Sequence, residues 1–146
     1  MLSKNGLRKS RKKKRMKKLD TQISRKKLKK KAEALLHQYL RKRACDFSGN
    51  VRCYSCRKTV PYEKTNAGHY RHGKLDLDER NLKVQCITCN LWKSGELGLY
   101  TIHLVEDYGL EWVKRLKEDA DKDVGQYSYE FLLETIEKYN NLLKSL

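Results

Sequence analysis

Apolar residues recur every three or four positions from about residue 25 to residue 43, and this spacing predicts an amphipathic helix. The opposite face of this helix carries Lys and Arg. We expect this face to be solvated, and it can in addition be a phosphate-binding surface. The apolar positions are Leu28, Ala32, Leu35, Leu36, Tyr39 and Leu40.

Helical spacing returns after Leu91. The stretch from Leu91 to Gly109 predicts a helix ended by Gly109, a residue suited to close a helix. "LEWVKRLKE" predicts a short second helix directly after it. The predicted inner face of the first helix comprises Leu99, Ile102, His103 and Val105.

The last helix is predicted to begin at Ser128, a good N-cap residue. Its apolar stripe is wide for a terminal helix on a small domain. The stripe either packs on the helices between Leu97 and Leu116 or forms the two-fold interface of a homodimer. It comprises Leu132, Ile136, Tyr139, Leu143 and Leu146, with Phe131 and Leu142 beside it.

The chain is predicted to be one α+β domain with flanking helices and four parts. Residues 1–24 form a basic tail and residues 25–44 the basic amphipathic helix. Residues 45–127 form a zinc-stabilised core, and residues 128–146 the C-terminal amphipathic helix.

The positive charge is concentrated at the N-terminus. The net charge is +16; residues 1–44 hold 19 Lys and Arg against two acids, whereas residues 45–146 hold 15 against 16. The first 24 residues have almost nothing to bury and their charges repel, so we expect a disordered arm that lies along phosphates. The chain lacks an apolar run long enough for a membrane span or a signal peptide.

Two CxxC pairs predict a metal site. Cys53 and Cys56 form the first pair, Cys86 and Cys89 form the second, and 29 residues lie between the two pairs. Two such turns complete a closed tetrahedral Zn²⁺ site, which holds a fold together and leaves no position open for chemistry. Cys45 is left over, and the odd count without a secretory signal favours metal ligation over disulfides.

The segment between the cysteine pairs predicts a strand, a loop and a second strand: "AGHYRHG", "LDLDERN" and "LKVQC". Cys89 and Asn90 then begin a helix. His69 lies on the first strand and Asn81 in the loop. This order is the layout of the HNH, or ββα-metal, nucleases.

The same residues resemble the phage NinG/Rap family of recombination endonucleases, an HNH-like group. The matching pieces are "HQYLRKRACD", "CYSC", "AGHY", "LDLDERN", "QCITCN" and "YTIHLVEDYGLEWVKRL", in the family's order over about residues 37–118. The order of cysteine pair, histidine, cysteine pair and asparagine is also similar to phage recombination endonuclease VII, a Holliday-junction resolvase.

The resemblance implies a catalytic role for three residues. His69 would be the general base, Asn90 a ligand of a catalytic Mg²⁺ or Mn²⁺, and Asn81 an orienting residue. Such roles suit the chemistry, because phosphodiester hydrolysis needs an activated water and a cation. His37 and His103 lie on predicted helices and are interpreted as packing or surface residues.

Gly68 is a departure from the pattern, because many HNH enzymes have an aspartate ligand immediately before the histidine. The catalytic metal site then lacks one carboxylate ligand. Either His69 is itself a ligand, or another side chain approaches the ion. The candidates are His72, Asp76, Asp78 and Glu96.

The sequence therefore predicts a metal-dependent DNA endonuclease that acts on branched recombination intermediates in the bacterial host cytoplasm. The branch preference comes from the resemblance alone. The alternative is a zinc-stabilised nucleic-acid-binding protein without catalysis, which the basic tail would serve equally well. The predicted DNA contacts are Arg8, Lys9, Arg11, Lys12, Lys13, Lys14, Arg15, Arg41, Lys42, Arg43 and Arg71.

Overall fold

A computed structural model of the chain describes residues 4–73, 75–122 and 125–146, with side chains described from residue 24 onward. These residues form an α+β fold with two small antiparallel sheets. The helices are α1 (Lys4–Arg43), α2 (Leu97–Tyr108), α3 (Leu110–Asp121) and α4 (Tyr129–Lys144). The strands are β1 (Asn50–Arg52), β2 (Thr59–Pro61), β3 (Thr65–His69) and β4 (Leu82–Cys86).

Helix α1 is longer than its apolar pattern predicts. It begins at Lys4, so most of the segment predicted to be a disordered tail is helical in the structure. Lys and Arg are good helix formers and this segment has no proline, so its backbone propensity favours a helix although its charges repel. The apolar pattern could not show this, because residues 4–24 have little to bury.

The main core lies between α1, the β3–β4 sheet and α4. Ala32 and Leu36 on α1 are fully buried, as is Leu132 on α4. They form one apolar cluster with strand residues Ala67 and Val84. The amphipathic prediction for residues 25–43 is therefore confirmed, because the apolar face of α1 packs on the core.

The apolar stripe of α4 is used within the chain. Leu132, Ile136 and Tyr139 are buried against the core that includes α1. The predicted partner, the pair of helices between Leu97 and Leu116, is wrong, because the apolar residues of α2 and α3 belong to a separate cluster. A homodimer remains a prediction, and Phe131 and Leu146 are the residues of this stripe that stay exposed.

A polar cluster fastens α4 to the rest of the fold through Glu79. The Tyr139 hydroxyl donates to the Glu79 carboxylate at 2.7 Å, and Arg43 on α1 donates to its other oxygen at 3.2 Å. Lys138 lies 3.5 Å from the same carboxylate. Burial alone would raise the pKa of Glu79, but these three partners outweigh it and lower the pKa below its ordinary value.

The Glu79 cluster predicts a component of stability that depends on pH. The ionised carboxylate is favoured in the folded state, so its contribution is present above the unfolded pKa and is lost as the pH falls through the lower folded pKa. We expect Glu79→Gln to cost about 1 kcal/mol at pH 7. The difference from wild type should shrink in urea unfolding at pH 3, and an equal difference at both values would contradict this assignment.

Helices α2 and α3 form a second, smaller cluster. Tyr100, Leu104, Val113 and Leu116 are buried there. The predicted inner face of α2 is wrong for Leu99 and Ile102, which are exposed, whereas Val105 packs against this cluster as predicted. The helix instead turns Tyr100 inward, where its hydroxyl donates to the Gly68 carbonyl at 3.0 Å.

The predicted ends of the helices are confirmed. Gly109 ends α2 with a φ of 88°, and its N–H donates to the Val105 carbonyl at 2.8 Å. Ser128 caps α4, since its hydroxyl accepts from the Phe131 N–H at 3.1 Å. None of the helices in the described residues is long and apolar enough to cross a membrane.

The β3–β4 sheet carries the predicted site residues. The two strands pair antiparallel, with Gly68 opposite Lys83 and His69 opposite Leu82. A π-helical turn from Thr88 to Trp92 follows β4, in place of the α-helix predicted to begin at Asn90. Two strands and a helical turn thus occur in the predicted order, and the HNH-type ββα core itself remains a prediction.

A candidate metal centre beside a histidine and asparagine cluster

The four predicted zinc ligands meet at one point. The sulfur atoms of Cys53, Cys56, Cys86 and Cys89 all lie within 4.8 Å of one another. Cys56 Sγ and Cys86 Sγ are 3.8 Å apart, close to the separation of about 3.8 Å that a tetrahedral Zn²⁺ with Zn–S bonds of about 2.3 Å requires. The cluster can therefore hold a structural metal such as zinc.

Local turns aim the thiols of each pair at the same point. The Cys53 N–H donates to the Lys58 carbonyl at 2.9 Å, and the Arg57 N–H donates to the Cys53 carbonyl at 3.0 Å. Arg57 closes this turn with a φ of 61°. In the second pair, the Cys89 N–H points at Cys86 Sγ from 3.4 Å. Each pair therefore lies in a tight turn held by local hydrogen bonds.

Two of the four thiols lie in an environment that penalises their charged form. Burial raises the pKa of Cys53 and of Cys89, because it penalises the thiolate. Buried thiolates need a compensating positive charge, and a divalent metal supplies it. Cys45 lies outside the quartet, half-buried beside the main core.

His69 is the last residue of β3, and its side chain is half-buried. Its Nε2 lies 3.4 Å from the Asp76 carbonyl oxygen and 4.0 Å from Asp76 Oδ1. The His72 ring lies 5.7 Å from the His69 ring, centroid to centroid. Two of the open candidates, His72 and Asp76, are therefore neighbours of His69.

His37 on α1 also reaches His69, a contact that the sequence interpretation missed. The two rings meet edge to face with their centroids 5.3 Å apart. Burial and the neighbouring His69 lower the pKa of His37 to about 4, so this ring is neutral at pH 7. Its Nε2 is buried without a hydrogen-bond partner among the described residues. The helical period carries no signal for this contact, because it joins residues 32 positions apart.

Asn81 holds the loop that follows His69. Its Nδ2 donates to the Arg71 and Leu75 carbonyls at 2.7 and 3.1 Å, and its Oδ1 accepts from the Arg71 N–H at 2.8 Å. The side chain is fully buried. These bonds fix the backbone two residues after His69, which suits the predicted orienting role.

Asn90 lies against β3 at Gly68, the residue before His69. Its Oδ1 is 3.0 Å from the point where a β-carbon on Gly68 would stand. The predicted ligand therefore borders the residue that precedes the predicted base in β3. Gln85 on β4 borders the same point, and the sequence interpretation did not single it out.

The acidic candidate ligands are engaged in ion pairs. Asp78 pairs with Arg80 at 2.7 Å, and Glu96 pairs with Lys93 at 3.3 Å. Asp76 binds Lys29 Nζ at 2.6 Å. Among the described side chains, the cysteine quartet is the one group of three or more His, Cys, Asp or Glu ligands close enough to share a metal ion.

The predicted DNA-binding residues divide into three groups. Arg8, Lys9 and the residues from Arg11 to Arg15 lie outside the described side chains. Arg41 donates to Thr65 Oγ1 and the Tyr62 carbonyl, and Arg43 and Arg71 pair with Glu79 and Asp121. Lys42 is exposed, as are lysines on the outer face of α1: Lys26, Lys27, Lys30 and Lys31.

Comparison with known proteins places the chain in one phage family. The family model described as Bacteriophage Lambda NinG protein matches residues 2–146. The chain is 35% identical over 94 residues to Protein ninG of Salmonella phage P22, covering 62% of this chain and 44% of that protein. It is 31% identical over 121 residues to Protein ninG of Escherichia phage 933W, covering 80% and 57%.

Protein ninG of Escherichia phage lambda is 32% identical over 97 residues, covering 64% of this chain and 45% of that protein. The chain spans about half the length of the curated relatives that it matches. No solved structure matches it with significance. Because the family model covers nearly the whole sequence, the chain belongs to the NinG family of bacteriophage proteins.

Proposed function

We propose that this chain is a metal-dependent DNA endonuclease of the HNH type that acts on branched recombination intermediates such as Holliday junctions. One observation carries the proposal: Asn90, which directly follows Cys89 of the four-cysteine centre, lies against Gly68, the residue that precedes His69 in β3. The branch preference rests on the resemblance to recombination endonucleases. Such an enzyme would act in the cytoplasm of the bacterial host.

The zinc centre would position the site without taking part in the reaction. Cys86 ends β4, and Cys89 directly precedes Asn90, so a closed Cys₄ site would fix the end of β4 and the backbone at Asn90. A rigid support suits a catalytic ligand, because small displacements of such residues are costly to the rate.

His69 would remove the proton from the attacking water. Imidazole is the side chain whose ordinary pKa lies nearest neutrality, which suits a general base at physiological pH. The loop held by Asn81 and the rings of His37 and His72 border His69 and restrict its orientation. His37 would border the site as a neutral ring, since its pKa is about 4.

A catalytic Mg²⁺ or Mn²⁺ fits the oxygen donors at Gly68. Asn90 Oδ1 faces this point, and hard cations of this kind prefer oxygen ligands. When bound, the cation would stabilise the charge that develops on the phosphate and the leaving oxygen. Asn90 would hold it next to His69.

Helix α1 would supply the DNA-binding surface. It carries His37 into the site and presents exposed lysines on its outer face. Neutralised phosphates release counterions, so binding should fall steeply with salt. The same helix would thus link the DNA-binding surface to the site.

Deleting residues 1–24 should therefore weaken DNA binding and flatten its salt dependence. The deletion removes ten Lys and Arg and one acid. Each lost phosphate contact should reduce the slope of log K against log salt by about 0.9. Fluorescence anisotropy at several salt concentrations measures the slope. Cleavage at saturating DNA should persist, and a truncated protein with the full-length slope would show that this segment does not touch phosphates.

The second candidate function is nucleic-acid binding without catalysis. Gly68 is the observation that favours it, because a carboxylate ligand is missing there and Asp76 is already paired with Lys29. A cleavage assay separates the two candidate functions. The zinc-loaded protein is incubated with a four-way junction, with and without Mg²⁺. Symmetric nicks that require Mg²⁺ support the nuclease, whereas binding without cleavage in Mg²⁺ and in Mn²⁺ supports the alternative.

A further inference from the structure

Gly68 is a glycine because another side chain fills its space. A β-carbon at this position would stand 1.8 Å from Gln85 Oε1, far inside the distance that real atoms allow. Gly68 lies in the regular pairing of β3 with β4 and is absent from the residues with positive φ, so backbone conformation does not require glycine here. The amide oxygen of Gln85 thus lies where a side chain on residue 68 would begin.

The Gln85 side chain is locked in this orientation. It is fully buried, and its Nε2 donates to Ser55 Oγ and to the Gly95 carbonyl, both at 2.6 Å. Because a carbonyl can only accept, the amide nitrogen must face Gly95. The oxygen is therefore turned toward Gly68 and Asn90.

The Gln85 oxygen has no donor to satisfy it. Oε1 is buried without a hydrogen-bond partner among the described residues. Leaving such an acceptor unpaired costs about 1 to 3 kcal/mol. Asn90 Oδ1 lies within 3.0 Å of the same point beside Gly68, so two amide oxygens converge there. Two converging acceptors require either a donor or a cation between them.

We propose that Gln85 Oε1 and Asn90 Oδ1 are paired ligands of a divalent cation, and that Gln85 replaces the acidic ligand missing at Gly68. The inference rests on the proposed nuclease function and names the residue that completes its metal site. It also explains the sequence departure, since a glycine before His69 makes room for the oxygen delivered by β4.

A site built from two amides has no charge of its own. It binds Mg²⁺ or Mn²⁺ more weakly than a carboxylate site, because neutral oxygens attract the cation less. The phosphate of bound DNA then supplies the negative charge that completes the coordination. Metal and DNA should therefore bind cooperatively, each raising the affinity for the other.

Mn²⁺ binding to the zinc-loaded full-length protein tests the assignment. The electron paramagnetic resonance signal of free Mn²⁺ reports binding without any cleavage. Gln85→Met keeps a similar volume and removes the oxygen, so Mn²⁺ affinity should fall about tenfold or more. Gln38→Met is the matched control, because it makes the same change at an exposed glutamine of α1 that is not one of the two proposed ligands. It should bind Mn²⁺ as wild type does.

A double variant keeps the test independent of folding defects. Gly68→Asp alone collides with Gln85, whereas Gly68→Asp with Gln85→Ala removes the collision and returns a carboxylate to the site. We expect the double variant to bind Mn²⁺ at least as tightly as wild type. Equal Mn²⁺ affinity of Gln85→Met and wild type would overturn the Gln85 assignment alone. If the wild-type protein binds no Mn²⁺, both this inference and the catalytic ion of the proposed function fail.

Discussion

Cys56→Ser is expected to abolish zinc binding and unfold the centre of the chain. A structural zinc site contributes about 10 to 16 kcal/mol of apparent binding free energy, which rivals the whole stability of a small domain. Losing one thiolate also leaves three buried sulfurs without a complete tetrahedral ion. The zinc content measured by metal analysis should fall below the wild-type value of about one ion per chain. The cooperative thermal unfolding transition should disappear.

Cys45→Ser is the matched control for the zinc prediction. Cys45 is a free, half-buried cysteine outside the quartet, so its replacement removes a thiol without touching the metal. Zinc content should stay at about one per chain. A Cys56→Ser protein with wild-type zinc content and melting temperature would show that the quartet is not a structural metal site.

His69→Ala is expected to abolish cleavage while DNA binding persists. A general base contributes about 10²- to 10⁴-fold to the rate, and its effect arises in the transition state. Affinity for DNA comes mainly from phosphate contacts, which this histidine does not supply. Single-turnover cleavage of a four-way junction in Mg²⁺ and a separate binding titration measure the two effects.

His103→Ala is the matched control for the loss of the imidazole. His103 lies on α2, where its Nδ1 is 2.8 Å from the Tyr54 carbonyl, away from the His37–His69–His72 group. Its removal should cost about 1 kcal/mol of stability and leave cleavage intact. If His69→Ala cleaves at the wild-type rate, His69 is not the base. If the wild-type protein does not cleave the junction, the nuclease proposal itself fails.

The accurate predictions from sequence concern features that a few neighbouring residues determine. Each CxxC pair forms its turn through bonds within about five residues, as Cys53 shows with Lys58. The cap at Ser128 and the turn at Gly109 are equally local. The apolar period of residues 25–43 correctly identified the packing face of α1, because a helix period depends on the chain itself.

The predictions that failed needed a partner distant in the chain. The sequence showed the apolar stripe of α4. The spacing of the stripe did not identify the surface that it packs on, which is the core containing α1. The inner face of α2 was misplaced at Leu99 and Ile102, because Tyr100 turns inward to reach the carbonyl of Gly68. An amphipathic pattern shows that a face will be buried and leaves open what will cover it.

The sequence by itself determined the cysteine quartet, the order of the helices and strands, and the basic face of the N-terminal helix. Each of these is encoded in residue type and local spacing. Only the tertiary structure brought His37 to His69 and turned the Gln85 oxygen into the space beside Gly68. Both contacts depend on how whole elements pack, and side chains far apart in the chain meet only after that packing has set their positions and orientations.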